Sequence, residues 1–237
     1  FAAHIDPHML LFIFLPILIF EAAYAMDLHT FKKSSTNAIL LAVPGILIAL
    51  FLTAAIAMSF SASGLGLENW NWSLALMFGA IVSATDPVAV VALLKDLGAS
   101  KKLGTLIEGE SLLNDGTAIV LFMVFFLSIS GQADDGSPIV EFFRVAFGGL
   151  LVGLIFGYLI IYWIKNVFND TLVETSLVIA AAYLTFYVAE HLFHVSGVLG
   201  LVALGLVIGG VGNSRISPQV EHFMHEFWEL AGFIANC

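Results

Sequence analysis

Runs of about 20 consecutive apolar residues recur along this chain, and that is the length an α-helix needs to cross the hydrocarbon of a bilayer. Nothing in hydrocarbon can pair an exposed peptide group, so such runs fold as helices or as closed barrels. The apolar/polar alternation of a membrane barrel is absent, which leaves an all-α polytopic membrane protein. Composition agrees, with 60% of the 237 residues hydrophobic and 11% charged, where soluble domains carry roughly 25% charged residues. The net charge of −10 offers no basic surface, so nucleic acid is not an expected partner and membrane lipid is. The single cysteine, Cys237, excludes an internal disulfide framework and multi-cysteine zinc sites.

The runs predict spans near 9–26, 37–60, 73–94, 105–130, 140–164, 172–192 and 195–212, about seven helices, and an eighth starting from about 223. Lys32-Lys33 reads as a basic turn between the first two spans. The loops with Lys32 and Lys33, then Lys95, Lys101 and Lys102, then Lys165, then Arg215 alternate with loops carrying Glu68, Asp134 and Asp135. That is the positive-inside pattern, with Arg144 off it, and it runs the first span from outside to inside. Asn71-Trp72-Ser73 is a glycosylation triplet in a predicted outer loop, too close to the membrane to carry weight. Glycines at 148, 149, 153 and 157, and at 197, 200, 205, 209 and 210, are spaced for close helix packing.

Two polar clusters interrupt these spans. In Ser83-Ala84-Thr85-Asp86-Pro87, Pro87 lacks an amide hydrogen, frees the carbonyl of Ser83 and pushes Asp86 out of α geometry. A helix broken there exposes backbone oxygens beside Thr85 and Asp86, as transporters do near the bilayer midplane; a plain proline kink is the simpler alternative. In Gly109-Glu110-Ser111-Leu112-Leu113-Asn114-Asp115, helical spacing gathers Glu110, Ser111, Asn114 and Asp115. Their oxygens are hard donors that suit a desolvated alkali cation, although polar residues also join membrane helices. Acids inside a span cost several kcal/mol and are functional candidates by default. Desolvation favours the neutral carboxyl and a cation favours the charged one, so proton and cation compete for it. Glu21, late in the first span, is a third such acid. Glu174 and Glu190 lie nearer span ends, where water and headgroups are at hand.

The run Ser83 to Lys95, taken with Glu108-Gly109-Glu110-Ser111-Leu112-Leu113-Asn114-Asp115-Gly116-Thr117, resembles the sodium/hydrogen exchangers of the monovalent cation:proton antiporter family. Phe20-Glu21, Glu190-His191-Leu192-Phe193 and Ser196-Gly197 extend the resemblance over nearly the whole chain. Leu94 to Lys102 and Phe227-Trp228-Glu229 are similar to the plant salt-tolerance and sperm-type exchangers. The resemblance implies an inverted-repeat antiporter fold, with core helices at roughly 37–130 and dimer-forming helices at roughly 1–30 and 140–237. It implies Asp115 as the exchanging carboxylate, and Asp86, Thr85, Ser111 and Asn114 around Na+. Ser83, Pro87 and Glu110 support that site, and Glu21 lines the approach. Asn followed by Asp is the family's mark of electroneutral one-for-one exchange, and the resemblance also implies no cofactor beyond the transported Na+ and H+, a homodimer and the plasma membrane. It also implies further helices beyond both ends, among them a second broken helix and an arginine for Glu110, so that the segment alone is not expected to transport.

Two other classes compete. A cation channel would also carry acids, but it needs an open, weakly binding path. A metal-dependent membrane enzyme would draw on Glu190, His191 and His194, or His222, His225 and Glu226, whose spacing does not match the His-Glu-x-x-His helix.

Overall fold

A computed structural model describes residues 7–64, 70–131, 137–165, 170–212 and 218–236. Glu68, Asp134, Asp135, Arg215, Cys237 and the side chain of Lys95 lie outside the described residues. Every regular element among those described is helical: α1 (Pro7–Ala25), α2 (Leu28–Leu40), α3 (Ile46–Ala62), α4 (Trp72–Val82), α5 (Val88–Asp96), α6 (Lys101–Ile129), α7 (Pro138–Ile164), α8 (Thr171–Tyr187), α9 (Gly197–Val207) and α10 (Pro218–Asn236). Short π-helical segments at Leu41–Gly45, Val188–Leu192 and Ile208–Gly212 extend α2, α8 and α9.

Four stretches are long and apolar enough to cross a membrane: Leu28–Ala62, Lys101–Ile129, Pro138–Ile164 and Thr171–Leu192; shorter apolar helices accompany them. The chain is a multi-pass membrane protein. Two predicted boundaries are corrected. Lys32 and Lys33 do not form a turn but sit in α2, because the chain turns earlier, at Asp27, whose Oδ1 accepts the His29 amide at 3.0 Å and starts the helix. At 35 residues the α2–α3 stretch is about 50 Å long, enough to carry both lysines past the hydrocarbon. The last helix begins at Pro218 rather than near 223, since its first turns are polar and a hydrophobicity scan overlooks them.

The chain forms two compact units, Thr30–Phe147 and Phe1–His29 with Gly148–Cys237. In the first, α3 packs on α4 and α4 on α6. Its core is Ile46, Leu50, Ala80, Ala118 and Leu121, flanked by Ala54, Ala57 and Ala75. Helices come this close because residues at the crossing are small: a methyl on Gly79 would lie 2.6 Å from the Leu50 carbonyl oxygen. In the second unit α1 packs against α9 and α10, and α8 against α9. The glycines of α7 serve the same end, since any side chain at Gly149 or Gly153 would run into the carbonyls of Ser196 and Gly200.

Glu174 departs from the water-contacting position expected for it. It is 2% exposed, and its Oε2 has no hydrogen-bond partner. The buried stripe of α8 runs Glu174, Thr175, Val178, Ala181, Ala182 and Thr185, and helical register carries the acid inward with it. Glu190 is half-buried and accepts the amide of Gly197 at 2.9 Å, at the start of α9.

Candidate cation site

The predicted break is present. Helix α4 ends at Val82, residues 84–87 have no helical hydrogen bonding, and α5 starts at Val88. Ser83 closes α4, its amide bonding to the Gly79 carbonyl at 3.0 Å. Pro87 stands just before α5, where its missing amide costs nothing, and its carbonyl accepts from Val91 at 2.8 Å to open the new helix. Asn71 caps the other end of α4, accepting from the Leu74 amide at 2.8 Å, so the residue of the glycosylation triplet has a structural task.

Helix α6 supplies partners for the unwound backbone. Ser111 Oγ donates to the Thr85 carbonyl at 2.5 Å. Asn114 Nδ2 donates to Thr85 Oγ1 at 3.0 Å and, at the edge of hydrogen-bonding range, to the Ser83 carbonyl at 3.4 Å. Ser111 and Asn114 are each 3% exposed. The carbonyl that Pro87 cannot engage thus meets a side-chain amide, and the break is clasped by one turn of α6. Thr117 Oγ1 turns back to the Leu113 carbonyl at 2.7 Å, which satisfies a further buried hydroxyl inside that helix.

Asp115 follows Asn114 and is half-buried. The charges of Asp86 and Glu110 act on it. Glu110 is half-buried, whereas Thr85 and Asp86 are exposed. Two buried oxygens here, Ser83 Oγ and Asn114 Oδ1, have no hydrogen-bond partner. Unpaired buried acceptors beside a carboxylate are a donor set for a hard cation: hydroxyl, amide carbonyl, backbone carbonyl and carboxylate oxygens, with no soft ligand. Among the described residues no group of three or more His, Cys, Asp or Glu side chains could hold a metal ion.

Glu21 belongs to the other unit, on α1, where its carboxyl lies against Gly232 of α10. Sequence reasoning gave no site role to Tyr24 or Trp228 on the same two helices. Each buries a polar atom without a partner, the Tyr24 hydroxyl and Trp228 Nε1.

Sodium/hydrogen exchanger 7 of Arabidopsis thaliana is 44% identical over 233 residues, 98% of this chain and 20% of that protein. The Na+/H+ antiporter ApNhaP of Aphanothece halophytica is 37% identical over 237 residues, 98% of this chain and 44% of its own. The chain therefore spans about a fifth of the first relative and under half of the second. A solved sodium proton antiporter of Methanocaldococcus jannaschii superposes with a TM-score of 0.77 at 22% identity, over 93% of this chain and 53% of that one, and so shares the fold. The family model described as "Sodium/hydrogen exchanger, transmembrane" matches residues 1–237. With its broken helix clasped by α6, this chain belongs to the sodium/hydrogen exchanger family.

Proposed function

We propose that the protein exchanges Na+ for H+ across a membrane, one for one, with both ions competing for the Asp115 carboxylate. The observation that carries this reading is the clasp of Ser111 and Asn114 on Thr85 and Ser83. It holds an unwound backbone and two unpaired buried oxygens next to Asp115, on which the charges of Asp86 and Glu110 act. In this reading Na+ takes oxygens from Asp115, Asp86, Ser111 and Thr85, while Ser83, Pro87, Asn114 and Glu110 shape the site. A site left empty would hold an unpaired charge in low dielectric, so only the filled or protonated forms cross, and competition becomes exchange. Asn114 is neutral at pH 7, so one bound Na+ replaces one proton and no net charge moves.

The unit Thr30–Phe147 supports a moving core, and the unit with α1, α7 from Gly148 onward, and α8 to α10 a dimer-forming frame. The same reading extends to a homodimer in the plasma membrane, with a part in pH regulation and salt tolerance. The test is the full-length protein in vesicles loaded with a pH-sensitive dye, with Na+, K+ or Li+ added outside. Wild type gives a cation-dependent pH change and Asp115→Asn gives none. A response that survives Asp115→Asn removes the assigned role, and a voltage-driven current uncoupled from pH replaces the exchanger with a channel.

A further inference from the structure

Helix α4 fixes the direction of its two neighbours within the unit Thr30–Phe147. Ala75 clusters with Ala54 and Ala57 on α3, and Gly79, one turn later, lies against Leu50, so α3 runs antiparallel to α4. Ala80 clusters with Ala118 and Leu121 on α6, then Ser83 meets Asn114 and Thr85 meets Ser111, so α6 is antiparallel to α4 as well. Helices α3 and α6 are therefore parallel, and α2, continuous with α3, starts on the same side as α6. Leu50 is level with Gly79 and Asn114 with Ser83, four residues and about 6 Å further along the chain. Lys33 precedes Leu50 by 17 residues, about 25 Å of helix, and Lys102 precedes Asn114 by 12, about 18 Å. The spacing of Gly79 and Ser83 brings the two lysines to within about 2 Å of one level.

Lys32 and Lys101 stand beside them, and all four are exposed. The stretches 30–40 and 97–107 hold these four lysines and no acid, with Asp96 and Glu108 flanking the second. On α2 and α3 the exposed side is apolar at Ile39, Leu40, Ile48, Phe51, Leu52 and Ile56. Helical register carries that side back through Thr36 and Asn37, both exposed, to Lys32 and Lys33, so the surface that meets acyl chains ends in lysine. A broken helix placed near the midplane puts the lysines about 18–20 Å from it, past the hydrocarbon half-thickness of about 15 Å and among the headgroups. We propose that Lys32, Lys33, Lys101 and Lys102 form one binding surface for the headgroups of anionic phospholipids in the leaflet at that end of the unit. Charge complementarity names phosphate as the recognised group, and the apolar surface adjoining the lysines names a lipid, not a soluble anion, as its carrier. The inference needs only a membrane-spanning chain and does not depend on ion exchange at Asp115.

The test uses the full-length protein in a neutral detergent, titrated with phosphatidylglycerol, phosphatidylcholine or inorganic phosphate. Bound lipid is counted by native mass spectrometry, and affinity is read from the rise in thermal midpoint. Lys101 takes part in an interaction within the protein, so Lys33 and Lys102 are the positions varied. Wild type retains phosphatidylglycerol in preference to phosphatidylcholine. Lys33→Gln and Lys102→Gln each weaken phosphatidylglycerol binding about fivefold, the worth of one lysine beside an anionic surface. Both sites are exposed, so the lipid-free midpoints equal that of wild type. Arg144→Gln removes one cation from the same unit beyond the far end of α6, where Glu141 already pairs with it, and leaves phosphatidylglycerol binding unchanged. Equal retention of the two lipids by wild type overturns the proposal. An equal loss in Arg144→Gln also overturns it, by marking net charge alone, and an equal midpoint rise with inorganic phosphate does so by marking a soluble anion. A loss in only one of Lys33→Gln and Lys102→Gln overturns the single surface.

Discussion

Ser111 and Asn114 hold the same residue, Thr85, one by its carbonyl and the other by its hydroxyl, so the two contributions should not be independent. Interhelical hydrogen bonds in membranes average about 0.6 kcal/mol and reach about 1.7. Ser111→Ala removes a short bond from a side chain that is 3% exposed and leaves the Thr85 carbonyl without that partner. We expect a loss of about 1 kcal/mol. Asn114→Ala removes the 3.0 Å bond and the weak 3.4 Å one, and also the unpaired Oδ1, whose removal offsets part of the loss. The expected cost is again about 1 kcal/mol. Once either bond is gone, the unwound segment is freer and the remaining bond holds less. The double variant should therefore fall short of the sum by about 0.5 kcal/mol. Reversible unfolding of the full-length protein in mixed micelles, run as a double-mutant cycle, measures this. Additivity within about 0.3 kcal/mol would refute the claim that one turn of α6 clasps the break as a unit.

Other perturbations test the packing and the charges. Gly149→Ala places a methyl against the Ser196 carbonyl and should cost about 1–3 kcal/mol. Gly104→Ala, with nothing within 4 Å of the new methyl, should raise the melting point through a helix gain of about 0.5–1 kcal/mol. An equal response of the two melting points would refute close packing as the reason for Gly149. Glu174→Gln keeps the shape of a buried, unpartnered acid without its capacity for charge, so its thermal midpoint should match or exceed wild type. A fall as large as that of Glu174→Ala would reveal an ionic partner. In vesicles, Asp115→Asn should abolish cation-dependent pH change, and Ser111→Ala should weaken apparent Na+ affinity while leaving exchange measurable.

Much of the site was legible before any coordinates. Pro87 cannot donate to a helix, so a break beside Asp86 follows from covalent structure, and the spacing from Glu110 to Asp115 follows from helical periodicity. The membrane class and the order of spans follow from hydrocarbon thickness, which imposes a length on every apolar run. Those are local facts, set by the residue itself or by neighbours within a turn. The lysine pair in α2 shows the limit of that logic, because hydropathy marks where a helix leaves the lipid and not where it ends.

What waited on the tertiary structure depends on which groups meet across chain separations of 26 to 170 residues. Periodicity puts Ser111 and Asn114 on α6, but only packing turns them onto Thr85 and Ser83. Register along α8 buries Glu174 although its place near a span end allows water. The unpaired hydroxyl of Tyr24 is likewise a property of the α1–α10 seam, since whether a donor finds an acceptor is decided by what lies opposite it and by nothing in its own segment.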